Sequence, residues 1–153
     1  MRIAIVGAGY VGLVTAACLA HVGHEVVCLD VDAARIARLD AGELPVHEPG
    51  LDELVAAGRA ADRLAFTADS ADTRSCELVI VAVGTLAAAE EWDGTIVRAA
   101  GKGIAADASV RRLVVFRSTL LPGTARAVAA EVRAIDPAVV IAHNPEFTRE
   151  AVA

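Results

Sequence analysis

The chain has 153 residues, of which 56% are hydrophobic, 3% are aromatic and 22% are charged, and its formal net charge at pH 7 is −6. This length suits one domain whose core is built from Ala, Val, Leu and Ile. The negative charge disfavours nucleic acid and anionic membranes, so we expect neither as a partner, although a helix N-terminus can still bind an anionic ligand locally.

The first 21 residues hold a strand, a glycine turn and a helix. Arg2 to Val6 is a short apolar run rich in β-branched residues, which is typical of a buried parallel strand. Gly7, Gly9 and Gly12 follow in the pattern G-x-G-x-x-G. The segment from Val11 to His21 is mostly apolar or small and predicts a helix packed on a sheet.

A second strand and an acidic residue complete this unit. Gly23 stands where a helix C-cap glycine belongs, and Glu25 to Leu29 predicts a strand that ends on Asp30. Asp30 lies 18 residues after Gly12, close to the usual spacing of about 20 for an acid that binds the adenosine ribose. Its carboxylate would repel a 2′-phosphate, so we expect NAD rather than NADP. Arg35 can reach the adenosine side, or else it lies on a solvated helix face.

Each glycine has its own physical reason in this interpretation. Gly7 permits a tight turn, Gly9 lets a pyrophosphate approach the backbone, and Gly12 lets the helix pack close to the strand. The helix N-terminus then directs free N–H groups and a positive dipole end at the phosphates. A packed turn without a ligand is one alternative. A signal peptide or membrane span over Ile3 to Ala20 is another, but the glycines and the strand that follows argue against it.

The rest of the chain alternates helices and strands. The predicted elements are, in order, a helix over Ala33 to Leu39 capped by Asp32, a loop over Leu44 to His47, a helix opened by Glu48-Pro49-Gly50, a strand over Leu64 to Thr67, a short helix over Ser70 to Ser75, a strand over Leu78 to Val83, a helix over Thr95 to Ala106, a strand over Leu113 to Phe116, a helix over Gly123 to Ile135 and a strand over Val139 to Ala142. Six strands with helical crossovers predict an α/β fold, a doubly wound parallel sheet of the Rossmann type with strand order 3-2-1-4-5-6.

Four of these strands end in residues that suit a ligand site. The carboxyl ends of strands one, four, five and six carry Gly9, Thr85, Thr119 and Glu146. In a parallel sheet these ends share one edge beside the cofactor crevice, so we expect the four residues to form one site. Ordinary helix capping is the alternative for the two threonines.

The three cysteines are scattered and show no metal-ligand spacing. We expect Cys18, in the first helix, and Cys28, in the second strand, to be small buried hydrophobic residues. An odd count that includes Cys76, together with no predicted signal peptide, favours a reducing cytoplasm. We expect no metal.

Six motifs follow one another in a recognisable order. They are GAGYVGL (Gly7 to Leu13), Asp30, HEPGL (His47 to Leu51), VGT (Val83 to Thr85), RSTLLPGT (Arg117 to Thr124) and NPEFTREAVA (Asn144 to Ala153). With them the whole chain resembles the N-terminal domain of the UDP-glucose/GDP-mannose dehydrogenase family. The resemblance implies an NAD-dependent, cytoplasmic, homo-oligomeric enzyme of polysaccharide biosynthesis. Such an enzyme oxidises the C6 alcohol of a nucleotide sugar, of the UDP-glucose or GDP-mannose class, to a carboxylate with two NAD.

The resemblance also implies roles for individual residues. The cofactor site would comprise Gly7, Gly9, Tyr10, Val11, Gly12, Asp30, Arg35, Thr85, Thr119 and Glu150. The substrate strip would comprise Glu146, Phe147, Thr148, Arg149 and Glu150. The catalytic residues would be Thr119, Glu146 and Glu150. A carboxylate there can activate or hold the water of the hydrolytic step. From the residues alone, Glu146 and Glu150 are an i, i+4 pair that equally suits a solvated surface.

The sequence departs from the family pattern at several positions. Leu86 stands at a usual Pro, Arg117 at a usual Lys, Thr148 at a usual Leu and Ala151 at a usual Gly. We therefore expect an altered loop from Leu86 to Trp92, after which Asp93 and Thr95 still fit the family's helix start.

The family's nucleophilic cysteine belongs to a later helical and C-terminal region, and no cysteine here falls in a matching motif. We therefore expect residues 1–153 to be the NAD-binding domain, without the central helix and C-terminal domain. Two other hypotheses stay open. One is a stand-alone nucleotide-binding or regulatory module without catalysis. The other is the N-terminal half of a different dehydrogenase, such as a 3-hydroxyacyl-CoA or 6-phosphogluconate type.

Overall fold

The chain forms a six-stranded parallel sheet flanked by helices. The structure, a computed structural model, describes residues 1–85, 94–106 and 109–146. The strands are β1 (Arg2–Val6), β2 (Glu25–Leu29), β3 (Leu64–Thr67), β4 (Leu78–Val81), β5 (Leu113–Phe116) and β6 (Val140–His143). The helices are α1 (Tyr10–His21), α2 (Ala33–Asp40), α3 (Leu51–Ala60), α4 (Thr95–Ala106) and α5 (Thr124–Ile135). The strand order is β3-β2-β1-β4-β5-β6, which confirms the predicted doubly wound fold.

Alternate residues of the central strand β1 belong to two separate cores. Ile3 and Ile5 pack in the core formed with α1, α2 and α3, whereas Ala4 and Val6 pack in the core formed with α4 and α5. Successive strand residues face opposite sides of a sheet. Because both sides of β1 are covered, the strand reads as one continuous apolar run instead of an alternating pattern.

Strand β4 ends at Val81, two residues before the predicted Val83. The N–H groups of Arg117 and Ser118 both donate to the Val81 carbonyl, at 2.8 and 3.3 Å. The chain leaving β5 therefore closes over the end of β4, and the ladder stops there.

Strand β6 runs one residue later than predicted. The Val139 N–H donates to the Asp136 carbonyl in a turn, whereas the Val140 N–H donates to the Arg112 carbonyl at the start of the ladder with β5. Val139 therefore belongs to the turn, and the strand extends to His143.

The remaining differences are small. The segment predicted as a helix over Ser70 to Ser75 is a single 3-10 turn, Ser70–Thr73, begun by the Asp69 carboxylate accepting from the Ala71 N–H at 2.8 Å. Helices α1, α2 and α5 each differ by one residue at one end. The apolar run from Ile3 to Ala20, for which a membrane span was an alternative, is divided between β1 and α1. No helix within the described ranges is long and apolar enough to cross a membrane.

Candidate functional site

The turn between β1 and α1 is shaped by three glycines under different constraints. Gly7 has a φ of +106°, and its N–H donates to the Leu29 carbonyl at 2.7 Å. A Cβ on Gly12 would lie 1.8 Å from the Gly7 carbonyl oxygen, so only glycine allows the helix to approach the turn this closely. A Cβ on Gly9 would meet no atom within 4 Å. The space beside Gly9 is therefore open to a ligand.

The N-terminus of α1 is suited to a phosphate group. Gly9 is its N-cap, no side chain caps it, and its first turn, which contains Tyr10 and Val11, has no acidic residue. The first N–H groups of a helix have no carbonyl partner inside the helix, and they carry the positive end of its dipole. This helix end can therefore bind an anion without a basic side chain.

The Tyr10 side chain connects this turn to the loop before α3. Its hydroxyl donates to Glu48 Oε2 at 3.1 Å, and Glu48 is only 8% exposed. The HEPGL motif thus places a buried carboxylate beside the start of α1. The sequence offered one signal for this role, an acidic residue inside the HEPGL motif to which no site role had been assigned.

Asp30 is held at the end of β2 by three hydrogen bonds. Its Oδ2 accepts from the Ala8 N–H and from Arg35 Nη1, both at 2.8 Å, and its Oδ1 accepts from the Asp32 N–H at 3.0 Å. Burial favours a higher pKa for this carboxyl, but the backbone N–H groups of Asp32 and Ala8 and the Arg35 guanidinium outweigh it, so the Asp30 pKa lies below its usual value. Asp30 is therefore charged at neutral pH, and it ties β2 to the glycine turn.

Arg35 lies in the first turn of α2 and faces the site. Asp32 caps this helix by accepting from the N–H groups of Ala34 and Arg35 at 3.0 and 3.1 Å, which confirms the predicted cap. The Arg35 guanidinium reaches back to Asp30, while its side chain stays 40% exposed. Arg35 is therefore partly solvated and paired with Asp30, and its role on the adenosine side stays a prediction.

A cavity of about 630 Å³ runs along the carboxyl ends of β1, β2 and β4 and along one side of α4. Its volume is within the range of small-molecule sites. Asp30 and Arg35 are the only charged residues among the described residues of its wall. Ala99, Ala100 and Gly103 of α4 form an apolar side with little bulk. The cavity thus combines an apolar slot, an open glycine backbone and one ion pair.

Hydrogen bonds join the carboxyl ends of β4, β5 and β6 on the other half of the sheet. Ser118 Oγ donates to the Val83 carbonyl at 2.7 Å, and the Asn144 N–H donates to the Phe116 carbonyl at 2.9 Å. The His143 ring nitrogen Nε2 lies 3.4 Å from the Ser118 carbonyl oxygen. The sequence prediction assigned no role to Ser118 or His143, although both adjoin predicted motif residues.

Thr85, Thr119 and Glu146 follow the strands of this edge, but none of them lines the cavity. Neither threonine is the N-cap of the next helix within the described residues, because α4 begins at Thr95 and the N-cap of α5 is Gly123. The capping alternative is therefore wrong for both, and their site roles stay predictions.

Part of the predicted site falls on residues outside the described ranges. These are Phe147, Thr148, Arg149 and Glu150 of the substrate strip, the loop from Leu86 to Trp92, and Asp93. The predicted start of α4 at Thr95 is confirmed.

The cysteines do not form a reactive centre in the structure. Burial, together with the nearby Asp30 charge, raises the pKa of the Cys28 thiol to about 12, and burial also raises the pKa of Cys76. Both are therefore thiols at neutral pH. The prediction of burial is wrong for Cys18, which is exposed, because α1 is apolar nearly all round and its sequence does not mark one inner face. No group of three or more potential metal-binding His, Cys, Asp or Glu occurs in the part of the chain that the structure describes.

Comparison with known proteins agrees with this geometry. Residues 1–153 match the family model described as "UDP-glucose/GDP-mannose dehydrogenase family, NAD binding domain". The chain is 42% identical to the UDP-glucose 6-dehydrogenase of Rhizobium meliloti (strain 1021) over 160 residues, which cover 100% of this chain and 36% of that protein. The chain thus spans about 36% of that relative's length.

Two solved structures are similar over the whole fold. A ternary complex of GDP-mannose dehydrogenase from Pseudomonas aeruginosa has a TM-score of 0.92 at 35% identity, covering 100% of this chain and 38% of the other. A UDP-glucose dehydrogenase from Pyrobaculum islandicum has a TM-score of 0.87 at 34% identity, covering 98% of this chain and 37% of the other. These matches decide against the N-terminal half of a 3-hydroxyacyl-CoA or 6-phosphogluconate type dehydrogenase.

Proposed function

The chain belongs to the UDP-glucose/GDP-mannose dehydrogenase family and forms its NAD-binding domain, and from this we propose the activity of the whole protein. It oxidises the C6 alcohol of a nucleotide sugar, of the UDP-glucose or GDP-mannose class, to a uronate with two NAD. The observation that carries this proposal is the cavity in which the glycine turn, the uncapped helix end and the Asp30–Arg35 pair meet.

The described residues fit NAD at separate points. No atom lies within 4 Å of the position that a Cβ on Gly9 would take, and the N-terminus of α1 presents to a pyrophosphate the first N–H groups of the helix, which have no carbonyl partner inside the helix. Asp30, with a charged carboxylate at the wall of the cavity, would hold the adenosine ribose together with Arg35. When bound, NAD supplies the acceptor for the hydride that leaves the substrate.

The reaction itself would take place at the carboxyl ends of β4, β5 and β6. We assign Thr85 and Thr119 to the cofactor and reaction centre, and the strip from Glu146 to Glu150 to the nucleotide sugar. Glu146 would lie near the reacting carbon, and Glu150 near the nicotinamide. A carboxylate in this place can activate or hold the water of the hydrolytic step. The hydrogen bonds that join the three strand ends support this assignment.

The nucleophilic cysteine that the family resemblance implies would form a thioester with the oxidised sugar, and it needs a thiolate, which these residues do not place at that edge. Cys28 and Cys76 are buried with raised pKa values, and Cys18 lies on α1. We therefore propose that the nucleophile of the whole protein comes from outside residues 1–153. Binding without catalysis is the second candidate function for this polypeptide, and the position of its three thiols favours it.

All three cysteines are free, which supports the proposed cytoplasmic setting. For the intact protein we also propose homo-oligomerisation and a role in polysaccharide biosynthesis.

Binding and turnover can be tested separately on the 153-residue chain. We expect calorimetry to show NAD binding, and we expect no NADH absorbance with UDP-glucose or GDP-mannose, because positioning of the substrate accounts for about 7–11 kcal/mol of such barriers. Gly9→Val should abolish NAD binding with an unchanged far-UV spectrum, since the branched side chain fills open space. Gly9→Ala is the milder control. NAD binding that survives Gly9→Val would place the phosphates elsewhere.

The proposed substrate class needs a complete enzyme. In a chimera, this chain would replace the matching third of the Rhizobium meliloti UDP-glucose 6-dehydrogenase, with which it shares 42% identity. We expect NADH formation that depends on UDP-glucose and disappears with Gly9→Val. A chimera that folds and binds NAD but makes no NADH would count against a dehydrogenase role for this domain.

A further inference from the structure

The ion pair at the end of β2 stands at the point where the two nicotinamide cofactors differ. Arg35 Nη1 lies 2.8 Å from Asp30 Oδ2, and both residues line the cavity. NADP differs from NAD by a phosphate on the 2′-oxygen of the adenosine ribose. Acidic residues at the end of the second strand bind the unmodified hydroxyl, whereas an arginine nearby accommodates the phosphate. This chain carries both residue types in direct contact.

We infer that Arg35 is a ready-made ligand for a 2′-phosphate, and that Asp30 alone prevents the site from accepting NADP. The inference rests on the proposed function, because it takes the adenosine ribose to lie at Asp30. A phosphate on the hydroxyl that Asp30 recognises would lie beside the guanidinium, since the guanidinium is itself at hydrogen-bond distance from that carboxylate. Guanidinium groups bind phosphate through paired N–H donors.

The charge balance of the wall explains why Asp30 decides the outcome. Asp30 and Arg35 are its only charged members within the described residues, so one carboxylate cancels one guanidinium. A phosphate would meet the buried carboxylate, which is 8% exposed, at the same time as the half-exposed arginine. Without the Asp30 charge, Arg35 would face the phosphate with Asp32 as the nearest remaining acid, 4.0 Å from Arg35 Nη2 and 49% exposed.

Asp30→Asn is the sharpest variant because it removes the charge and keeps the shape. The amide oxygen can still accept the hydrogen bond from the Ala8 N–H that ties β2 to the glycine turn. Asp30→Ser is a second variant in case the amide disturbs folding, which far-UV spectra and melting temperatures would reveal. Arg38→Ala is the matched arginine control, since Arg38 lies on the same helix and pairs with Glu43 at 3.2 Å.

The experiment is calorimetric titration of each variant with NAD and with NADP. We expect wild type to bind NAD more tightly than NADP. In Asp30→Asn we expect the affinity for NAD to fall and the affinity for NADP to rise at least tenfold. Adding Arg35→Ala to Asp30→Asn should remove that gain, whereas adding Arg38→Ala should keep it. Arg35→Ala alone should raise the ratio of NAD affinity to NADP affinity, which gives a result even if no Asp30 variant folds.

The outcomes separate the inference from the proposed function. Unchanged NAD affinity in a folded Asp30→Asn variant would mean that the ribose does not lie at Asp30, and the proposed NAD site would be wrong. If the affinity for NAD falls but the affinity for NADP does not rise, the inferred role of Arg35 is wrong and the proposed NAD site stands. A gain that persists in the Asp30→Asn/Arg35→Ala double variant would also overturn the role of Arg35.

Discussion

The two halves of the sheet are built differently. In β1 and β2 every residue after the first is buried, because helices cover both faces. In β5 buried and less buried residues alternate, and none of the four residues of β6 is fully buried. Leu113 and Val140, which are partners in the ladder, are 37% and 44% exposed, while Val114 and Phe116 are fully buried.

The difference in strand burial matches the way in which the predicted site residues are distributed over the sheet. The half with both faces covered holds the glycine turn, Asp30 and Arg35, which border one cavity. The half with the more exposed strands carries Thr119 and Glu146, which do not line that cavity. The structure thus shows a cavity at the proposed cofactor site, beside the strand edge at which we propose that the reaction takes place. Substitutions matched between the halves can break or sharpen this comparison.

The largest effect is expected from adding one methyl group to a helix glycine in each half. In Gly12→Ala the new Cβ would lie 1.8 Å from a backbone oxygen, which cannot move aside. In Gly101→Ala it would lie 3.0 Å from Val132 Cγ2 and 3.2 Å from Phe116 Cζ, which can shift slightly. We expect Gly12→Ala to lower the free energy of unfolding by more than about 3 kcal/mol.

Gly101→Ala should be nearly neutral, because a helix gains about 0.5–1 kcal/mol from replacing Gly by Ala. Urea unfolding followed by circular dichroism measures both variants. Equal midpoints for Gly12→Ala and Gly101→Ala would show that the turn is no tighter than the α4–α5 contact.

A smaller effect, dependent on pH, is expected at Asp30. Its pKa is lowered in the folded state, so its stabilising contribution is present above the unfolded value of about 3.9 and is lost as pH falls through the folded value. Asp30→Asn should therefore be about 2 kcal/mol less stable than wild type at pH 7, since hydrogen bonds to charged groups are worth about 1.5–3 kcal/mol. The difference should shrink below pH 4. A difference in unfolding free energy that stays constant from pH 7 to pH 3 would contradict the lowered pKa.

The smallest effects should come from single hydroxyl groups. Tyr10→Phe removes the 3.1 Å bond to Glu48, and Ser118→Ala removes the 2.7 Å bond to the Val83 carbonyl. Each should lower the free energy of unfolding by about 1 kcal/mol. Only Tyr10→Phe should also weaken NAD binding, because Tyr10 lies in the turn that we propose holds the cofactor. An equal loss of NAD affinity in Ser118→Ala would show that this hydroxyl supports the cofactor site through Val83, which lines the cavity.

The sequence by itself determined the architecture and the cofactor class. The buried strand, the three glycines and Asp30 occur within one short stretch, where local backbone needs dictate residue type. Gly7 must adopt a positive φ, and Gly12 must have no Cβ. Continuous apolar strands separated by helical patterns then permit few topologies, so the strand order followed from general rules of connection.

Only the tertiary structure decided which side chains meet. The sequence left Arg35 undecided between the site and solvent. In the structure, the turn from β2 into α2, held by the hydrogen bonds of Asp30 and Asp32, brings the guanidinium to Asp30. Tyr10 and Glu48 are 38 residues apart in the sequence, and no local pattern connects them. Cys18 is exposed because a helix that is apolar nearly all round does not reveal its inner face. Side-chain contacts and exposure of this kind depend on how separate elements pack against each other, which the spacing of residues along the chain does not determine.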